Sequence, residues 1–322
     1  MKIWQSLRTG LRTVFGTPKV AVGIYLVNLS LALLLAFPLY QVLRGSFAYS
    51  TVRETMLLGF DYDWWTEFSA HAEGLAKTFR PEVIGIGPFF ENAQVFLQGA
   101  FGRHGVLVLL VGLLYLVANS FLAGAAMGAY AQERQKLSTA RVFATGGQFF
   151  GRFLSLVLMG VAIYFVVYKG AGSLVQKLGA SISEGLTTER AAFFVGAVGV
   201  ALLLFILSFV NMIFDYAKAV VVHENRQSSA EALWVATKFG LTNIGKCLGL
   251  YWLIGSAGVT ILLFTFWIVS AVPQNVGWGI VLSALLAQVL VILKIMIRLV
   301  FYASQLVAYR TAKAEVRRLP KA

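Results

Sequence analysis

Five uninterrupted stretches of the chain carry no Asp, Glu, Lys or Arg, and they constrain the fold more than anything else in the sequence. They cover 20–43, 105–132, 153–168, 191–214 and 247–293. A helix needs about 20 apolar residues to cross the hydrocarbon of a bilayer. The first, second and fourth runs meet that length directly. The third reaches it, to about residue 175, if Lys169 extends its ammonium outward along its own alkyl stem. The fifth is far too long for one crossing, and Pro273-Gln274-Asn275 divides it into a hairpin restarting near Trp278. The runs are continuous rather than alternating, which excludes a membrane β-barrel.

Composition agrees. Charged residues make up 13% of the 322 residues and hydrophobic ones 58%. Soluble domains carry roughly a quarter of their residues as charges, so too few are present to coat a water-facing surface. A single cysteine, Cys247, excludes a disulfide scaffold. The expected fold is all-α: a polytopic membrane protein of six transmembrane helices in three hairpins, each preceded by a cytoplasmic interfacial amphipathic helix. Its segments are an interfacial helix at 1–19, a first span at 20–43 and an external loop at 44–104. A second span follows at 105–131, an interfacial helix at 133–150, and spans at 153–175 and 191–217. The last segments are an interfacial helix at 228–243, spans at 247–271 and 277–305, and a basic cytoplasmic tail at 306–322. The first apolar run is longer than a signal-peptide core and lacks a small-x-small cleavage site, so it is expected to be retained.

Charge placement sets the orientation. The segments 1–19, 132–152, 218–246 and 294–322 hold 19 of the 27 Lys and Arg, whereas 44–104 alone holds 7 of the 14 acids. Cations collect on the cytoplasmic side of membrane proteins, so both termini are expected there, in a bacterial inner membrane. The net charge of +13 then serves anionic lipid, at about 1 kcal/mol per cation near the surface. Arg8, Arg12, Arg152, Lys246, Arg317 and Arg318 are the expected contacts. Nucleic acid is not expected as a partner, because the cations are divided among short segments beside the spans.

A weak repeat runs through the chain. Residues 119–145 align on 211–237 at an offset of 92, pairing Asn119 with Asn211, Arg134 with Arg226 and Ala144 with Ala236. Two residues further out of register, Gly151-Arg152-Phe153-Leu154 meets Gly245-Lys246-Cys247-Leu248. The N-terminus supplies the helical part of the same unit, with Ile3, Trp4, Leu7, Leu11, Val14 and Phe15 on one helical face. Ser228 followed by Glu231 predicts a capped helix start, and Ala230, Leu233, Trp234 and Leu241 form its apolar stripe. Gly146-Gly147 is expected to interrupt the middle copy. The amphipathic segment with Gly-Gly-Gln-Phe-Phe-Gly-Arg-Phe-Leu and the hairpin after it resembles the repeating unit of uncharacterised bacterial six-span membrane proteins. These are broadly similar to the membrane domain attached to some glycerophosphodiester phosphodiesterases and to Yip-type membrane proteins. The likeness covers about the central two-thirds of the chain. The 322 residues contain no phosphodiesterase domain, so the resemblance implies a helical membrane fold and no reaction.

No catalytic constellation is expected. His71, His104 and His223 lack metal-ligand spacing, and no phosphate loop, His-Glu-x-x-His or Gly-x-Ser-x-Gly occurs. Neither a metal nor a cofactor is expected, and Cys247 reads as a packing residue. The informative residues lie on the fourth and sixth spans. Ser208, Asn211, Asp215 and Lys218 recur at i, i+3, i+7 and i+10 on one helix face, and Lys294, Arg298 and Gln305 form a second polar stripe. Charges in hydrocarbon cost about 3 kcal/mol or more and therefore face partners or water. Asp215 is expected to pair with Arg298 or Lys294, either as a clamp between helices or as part of an ion or proton path or a pocket for an anionic headgroup. In the external loop, Asp61, Asp63, Trp64 and Trp65 mark an acidic, aromatic docking segment. Gly124-x-x-x-Gly128 and Gly245-x-x-x-Gly249 predict close helix approach. The function these features favour is a non-catalytic accessory or scaffolding subunit, packed against lipid and other membrane-protein subunits. The alternative is a transporter or lipid-handling protein with a polar site between the fourth and sixth spans.

Overall fold

A computed structural model describes residues 2–48, 61–79, 106–132, 138–183, 188–273 and 276–318. Every regular element among them is helical. In chain order these are α1 (Ile3–Phe15), α2 (Pro18–Ala48), α3 (Tyr62–His71), a short 3-10 turn (Gly74–Thr78), α4 (Val106–Ala131), α5 (Thr139–Val167), a π-turn (Tyr168–Gly172), α6 (Ser173–Ser183), α7 (Glu189–Glu224), α8 (Ser229–Thr242), α9 (Ile244–Ser270) and α10 (Gly277–Arg318). Six helical stretches are long and apolar enough to cross a membrane. They begin at Pro18, Val106, Thr139, Arg190, Ile244 and Gly277, one for each expected span.

Four details depart from expectation. The middle unit is not a separate helix followed by a span: α5 runs unbroken through 146–152, and the helical path continues through the π-turn to Ile182. Gly146 does not interrupt it, because the absent side chain leaves room for the Phe121 ring, which a Cβ there would meet at 2.7 Å. Packing of that kind offsets the roughly 1 kcal/mol that glycine costs inside a helix. The segment 133–137 lies outside the described residues. Pro38, of a residue type that ordinarily kinks or ends a helix, sits within the continuous α2. The basic tail beyond 305 extends α10 as one helix to Arg318. The loop residues after Asp61 form α3, with the Asp61 carboxylate accepting from the Asp63 and Trp64 amides at 3.1 and 3.0 Å.

The chain divides into two compact units. The first comprises Met1–Thr17, Ser120–Ile254 and Leu299–Ala322. It holds the fully buried Met127, Phe153, Met212, Tyr216, Leu250, Leu306 and Tyr309. Small residues let its helices approach. Gly128 faces Thr145 across α4 and α5, Gly240 of α8 faces Met212 of α7, and Gly10 of α1 lies against Ser304 of α10. Gly124 also meets Phe149, but Gly245 has nothing within 4 Å, so the second glycine pattern packs only through Gly249, against Ile3.

The inward stripe of α8 is Ser229, Ala232, Ala236 and Gly240, and that of α1 is Ser6, Gly10 and Val14. Their large apolar side chains turn away from the protein: Trp4 is 70% and Trp234 61% exposed, with Phe15 and Leu241 similarly open. Ser228 caps α8 as expected, its hydroxyl accepting from the Glu231 amide at 3.3 Å. The offset-92 alignment does not carry burial across, for Ala236 is buried and Ala144 exposed. Chemically similar small residues do not fix which side of a helix meets its neighbour.

The second unit, Pro18–Asn119 and Gly255–Arg298, has little interior. Trp64 is its main anchor, 6% exposed and stacked between Phe47 and Phe68 at centroid distances of 4.7 and 5.0 Å.

Candidate functional site: the polar seam of α7 and α10

The polar stripe of α7 belongs to the first unit and is almost entirely engaged. Ser208 donates to the Phe205 carbonyl at 2.8 Å, satisfying its hydroxyl within its own helix. Asn211 donates its amide to the Tyr251 hydroxyl of α9 at 2.6 Å, and the Tyr251 ring packs on Phe301 of α10 at 5.0 Å. One turn on, Asp215 is fully enclosed and accepts from the Lys218 ammonium at 2.9 Å. Lys218 in turn lies over the Tyr302 ring of α10 at 5.4 Å. A charge desolvated to this degree needs a partner, and Lys218, three residues along the same helix, is one the sequence reading overlooked. The signal was present, since i and i+3 share a helix face. Of the two cations expected to meet Asp215, Lys294 is exposed and Arg298 half-buried, and both belong to the second unit.

Toward the end of α7 the seam gathers a second charged group. Glu224 accepts from the Tyr309 hydroxyl at 2.6 Å, from the Lys313 ammonium at 3.0 Å and from the Arg226 guanidinium at 2.8 Å. Arg226 also pairs with Glu231 at the start of α8. The turn between the helices is made by Asn225, whose φ of 50° puts it in the left-handed region that asparagine tolerates. Arg152 of α5 ties this turn down. It donates to the Asn225 side chain at 2.9 Å, to the Arg226 carbonyl at 3.0 Å and to the Gln148 carbonyl at 3.1 Å. Ser229 closes the circuit by donating to the Arg152 carbonyl at 3.0 Å. Arg152, half-buried, thus acts as a cross-link between α5 and the α7–α8 turn. This cluster was not legible from the sequence, because its members come from four helices and no spacing rule connects them.

The other expected residues are dispersed. Arg8, Arg12 and Lys246 are exposed, and Arg317 and Arg318 end α10. Asp63 is exposed, Asp61 and Trp65 half-buried and Trp64 buried. Beside them the end of α2, α3 and the 3-10 turn line a 640 Å3 cavity that includes Glu67, Phe68, His71 and Glu73. Cys247 is buried and unbridged. His71 lies 3.0 Å from the Glu67 carbonyl, His223 is edge-on to Tyr309 at 5.8 Å, and His104 falls outside the described residues. Among the described residues no three His, Cys, Asp or Glu side chains group to hold a metal ion.

The seam can therefore do two things. It locks α7 against α9 and α10 through charges and hydrogen bonds, the Asp215–Lys218 pair fully or nearly enclosed and the Glu224 cluster half-open, and it lines a path of polar groups along membrane-length helices. Comparison with known proteins finds no matching family model, no matching curated protein and no matching solved structure.

Proposed function

We propose that this chain is a non-catalytic, multi-pass integral membrane protein of the bacterial inner membrane, acting as an accessory or scaffolding subunit held by lipid and by other membrane proteins. The observation that carries the reading is the orientation of α1 and α8. Their small residues pack inward while Trp4, Phe15, Trp234 and Leu241 stay uncovered. A short helix with that division of faces lies along the headgroup boundary, apolar side in the acyl region. The Lys238 ammonium over the Trp234 ring at 5.0 Å gives α8 the pairing of cation and indole that suits this depth. The first half of α5 supplies the third such segment, with Phe143 exposed. Each precedes a hairpin of two spans, with both termini in the cytoplasm. Arg8, Arg12, Lys246, Arg317 and Arg318 meet anionic headgroups there, and Asp63 and Trp65 offer the external docking points.

Purification from native membrane with a mild detergent, followed by mass spectrometry of the accompanying proteins and lipids, tests the subunit role. Stoichiometric membrane-protein partners and enriched anionic lipid are expected. A lone, lipid-free chain would sink it. The anchor role is tested separately by brominated-lipid quenching of tryptophan fluorescence. Trp4→Ser and Trp234→Ser should each remove a shallow-quenched component.

The second reading is a transporter or lipid-handling protein using the seam between α7 and α10. It is favoured by the enclosed Asp215–Lys218 pair, since intramembrane charges cluster on substrate and ion paths.

A further inference from the structure

Gln305 of α10 is 0% exposed, and neither its amide nitrogen nor its carbonyl oxygen has a hydrogen-bond partner among the described residues. Ser304, beside it and equally enclosed, leaves its hydroxyl unmet as well. Buried polar groups without protein partners are commonly met by ordered internal water, because leaving them unmet is costly. The place of Gln305 in the seam makes this more than a local defect. Tyr302, one turn before it, faces the Asp215–Lys218 pair, and Tyr309, one turn after it, donates to Glu224. By helix rise, Tyr302 and Tyr309 lie about 10 Å apart along α10. Hydrogen-bonded oxygens sit about 2.8 Å apart, so two or three waters together with the Gln305 amide span that interval.

We propose that Gln305 seats internal water, making the seam a hydrated track from the Asp215–Lys218 pair to the Glu224–Tyr309–Lys313 cluster. Its ligand is water. The glutamine acts as donor and acceptor at once, which a continuous chain of hydrogen bonds requires at its midpoint. This goes beyond the subunit reading and rests on different residues.

X-ray hydroxyl-radical footprinting of the full chain in lipid nanodiscs tests it, because bound water radiolysed in place oxidises the side chains it touches. Tyr302 and Leu306 are buried, yet they are expected to be labelled at rates approaching that of exposed Trp4. Leu250 and Phe153, equally buried and apolar, serve as background. Gln305→Leu should lower the Tyr302 and Leu306 labelling about tenfold, as the water leaves with its donor and acceptor, while Trp4 is unchanged. Gln305→Met, unbranched and of similar length, provides the same comparison if the leucine variant folds poorly. The proposal is overturned if Tyr302 and Leu306 in the unaltered chain are labelled no faster than Leu250 and Phe153. Labelling that persists in both variants overturns it too.

Discussion

The contact between α4 and α5 offers a sharp test of how this bundle is held, because it sets a glycine inside the contact against one on the outer side of α5. A Cβ placed on Gly128 would lie 2.7 Å from the Thr145 Cβ and 3.1 Å from both the Thr145 hydroxyl and the Phe149 ring. Ordinary carbon–carbon contact is about 3.5–4.0 Å, so Gly128→Ala forces the two helices apart by close to an ångström or displaces Thr145, a stiff β-branched side chain on α5. Overpacking of this kind costs about 1–3 kcal/mol. Gly147, on the other side of α5, has nothing within 4 Å among the described residues. There Gly147→Ala removes only the conformational freedom of glycine, and a gain of about 0.5–1 kcal/mol is expected. The same chemical change thus carries opposite signs at positions that both read as small residues in apolar sequence. Thr145→Gly placed in the Gly128→Ala background moves the small residue to the other helix and should recover part of the loss, less the helix penalty of the new glycine. Reversible unfolding of purified protein in mixed detergent micelles, followed by circular dichroism, compares the three variants with the original. If Gly128→Ala is as stable as the original, or Gly147→Ala loses as much as Gly128→Ala, the α4–α5 packing described here is wrong.

The other predictions concern the seam. Arg152→Ala should cost about 1.5–3 kcal/mol through loss of charged hydrogen bonds at the α7–α8 turn, and Arg152→Lys should restore little of it, because an ammonium lacks the planar fork that reaches several acceptors. The same unfolding measurement decides, and full recovery by lysine would refute the fork. Asp215→Ala leaves Lys218 enclosed without its counter-charge and should cost about 3–5 kcal/mol, whereas Asp215→Leu combined with Lys218→Met should cost distinctly less. Equal losses would mean the two residues are not coupled. Glu224→Gln removes the charge that Tyr309, Lys313 and Arg226 share. It should lower stability by about 1–3 kcal/mol and raise amide hydrogen exchange at the α7–α8 turn, and unchanged exchange there would show the cluster to be dispensable.

How much of this was legible beforehand differs by level. The six long helices follow from hydrocarbon thickness alone: a charge-free run of the right length has no other stable solution in lipid, and each expected span has its counterpart. The start of α8 was equally local, because Ser228 caps its own helix three residues on. By contrast, the repeat alignment equated Ala144 with Ala236, one exposed and one buried. Gly146, read as an interruption, lies inside a continuous helix, since the Phe121 ring fills the space its absent side chain leaves. The seam was half visible. Spacing put Asn211, Asp215 and Lys218 on one face, but the pairing of Asp215 with Lys218 along that face was not drawn from it.

The sequence by itself determined the class of the molecule, the number of its apolar helices and the spacing of its cations along the chain, because these depend on composition along one dimension. Tertiary structure alone decided which small residues face inward on α1 and α8 and that Arg152 is an internal tie. It alone gathered Glu224, Tyr309, Lys313 and Arg226 into one cluster and left Gln305 enclosed with no hydrogen-bond partner among the described residues. Those outcomes depend on the rotation of each helix about its own axis. A turn of 100° per residue leaves the hydrophobic content of a span unchanged while exchanging every contact it makes, so only packing against neighbours fixes them.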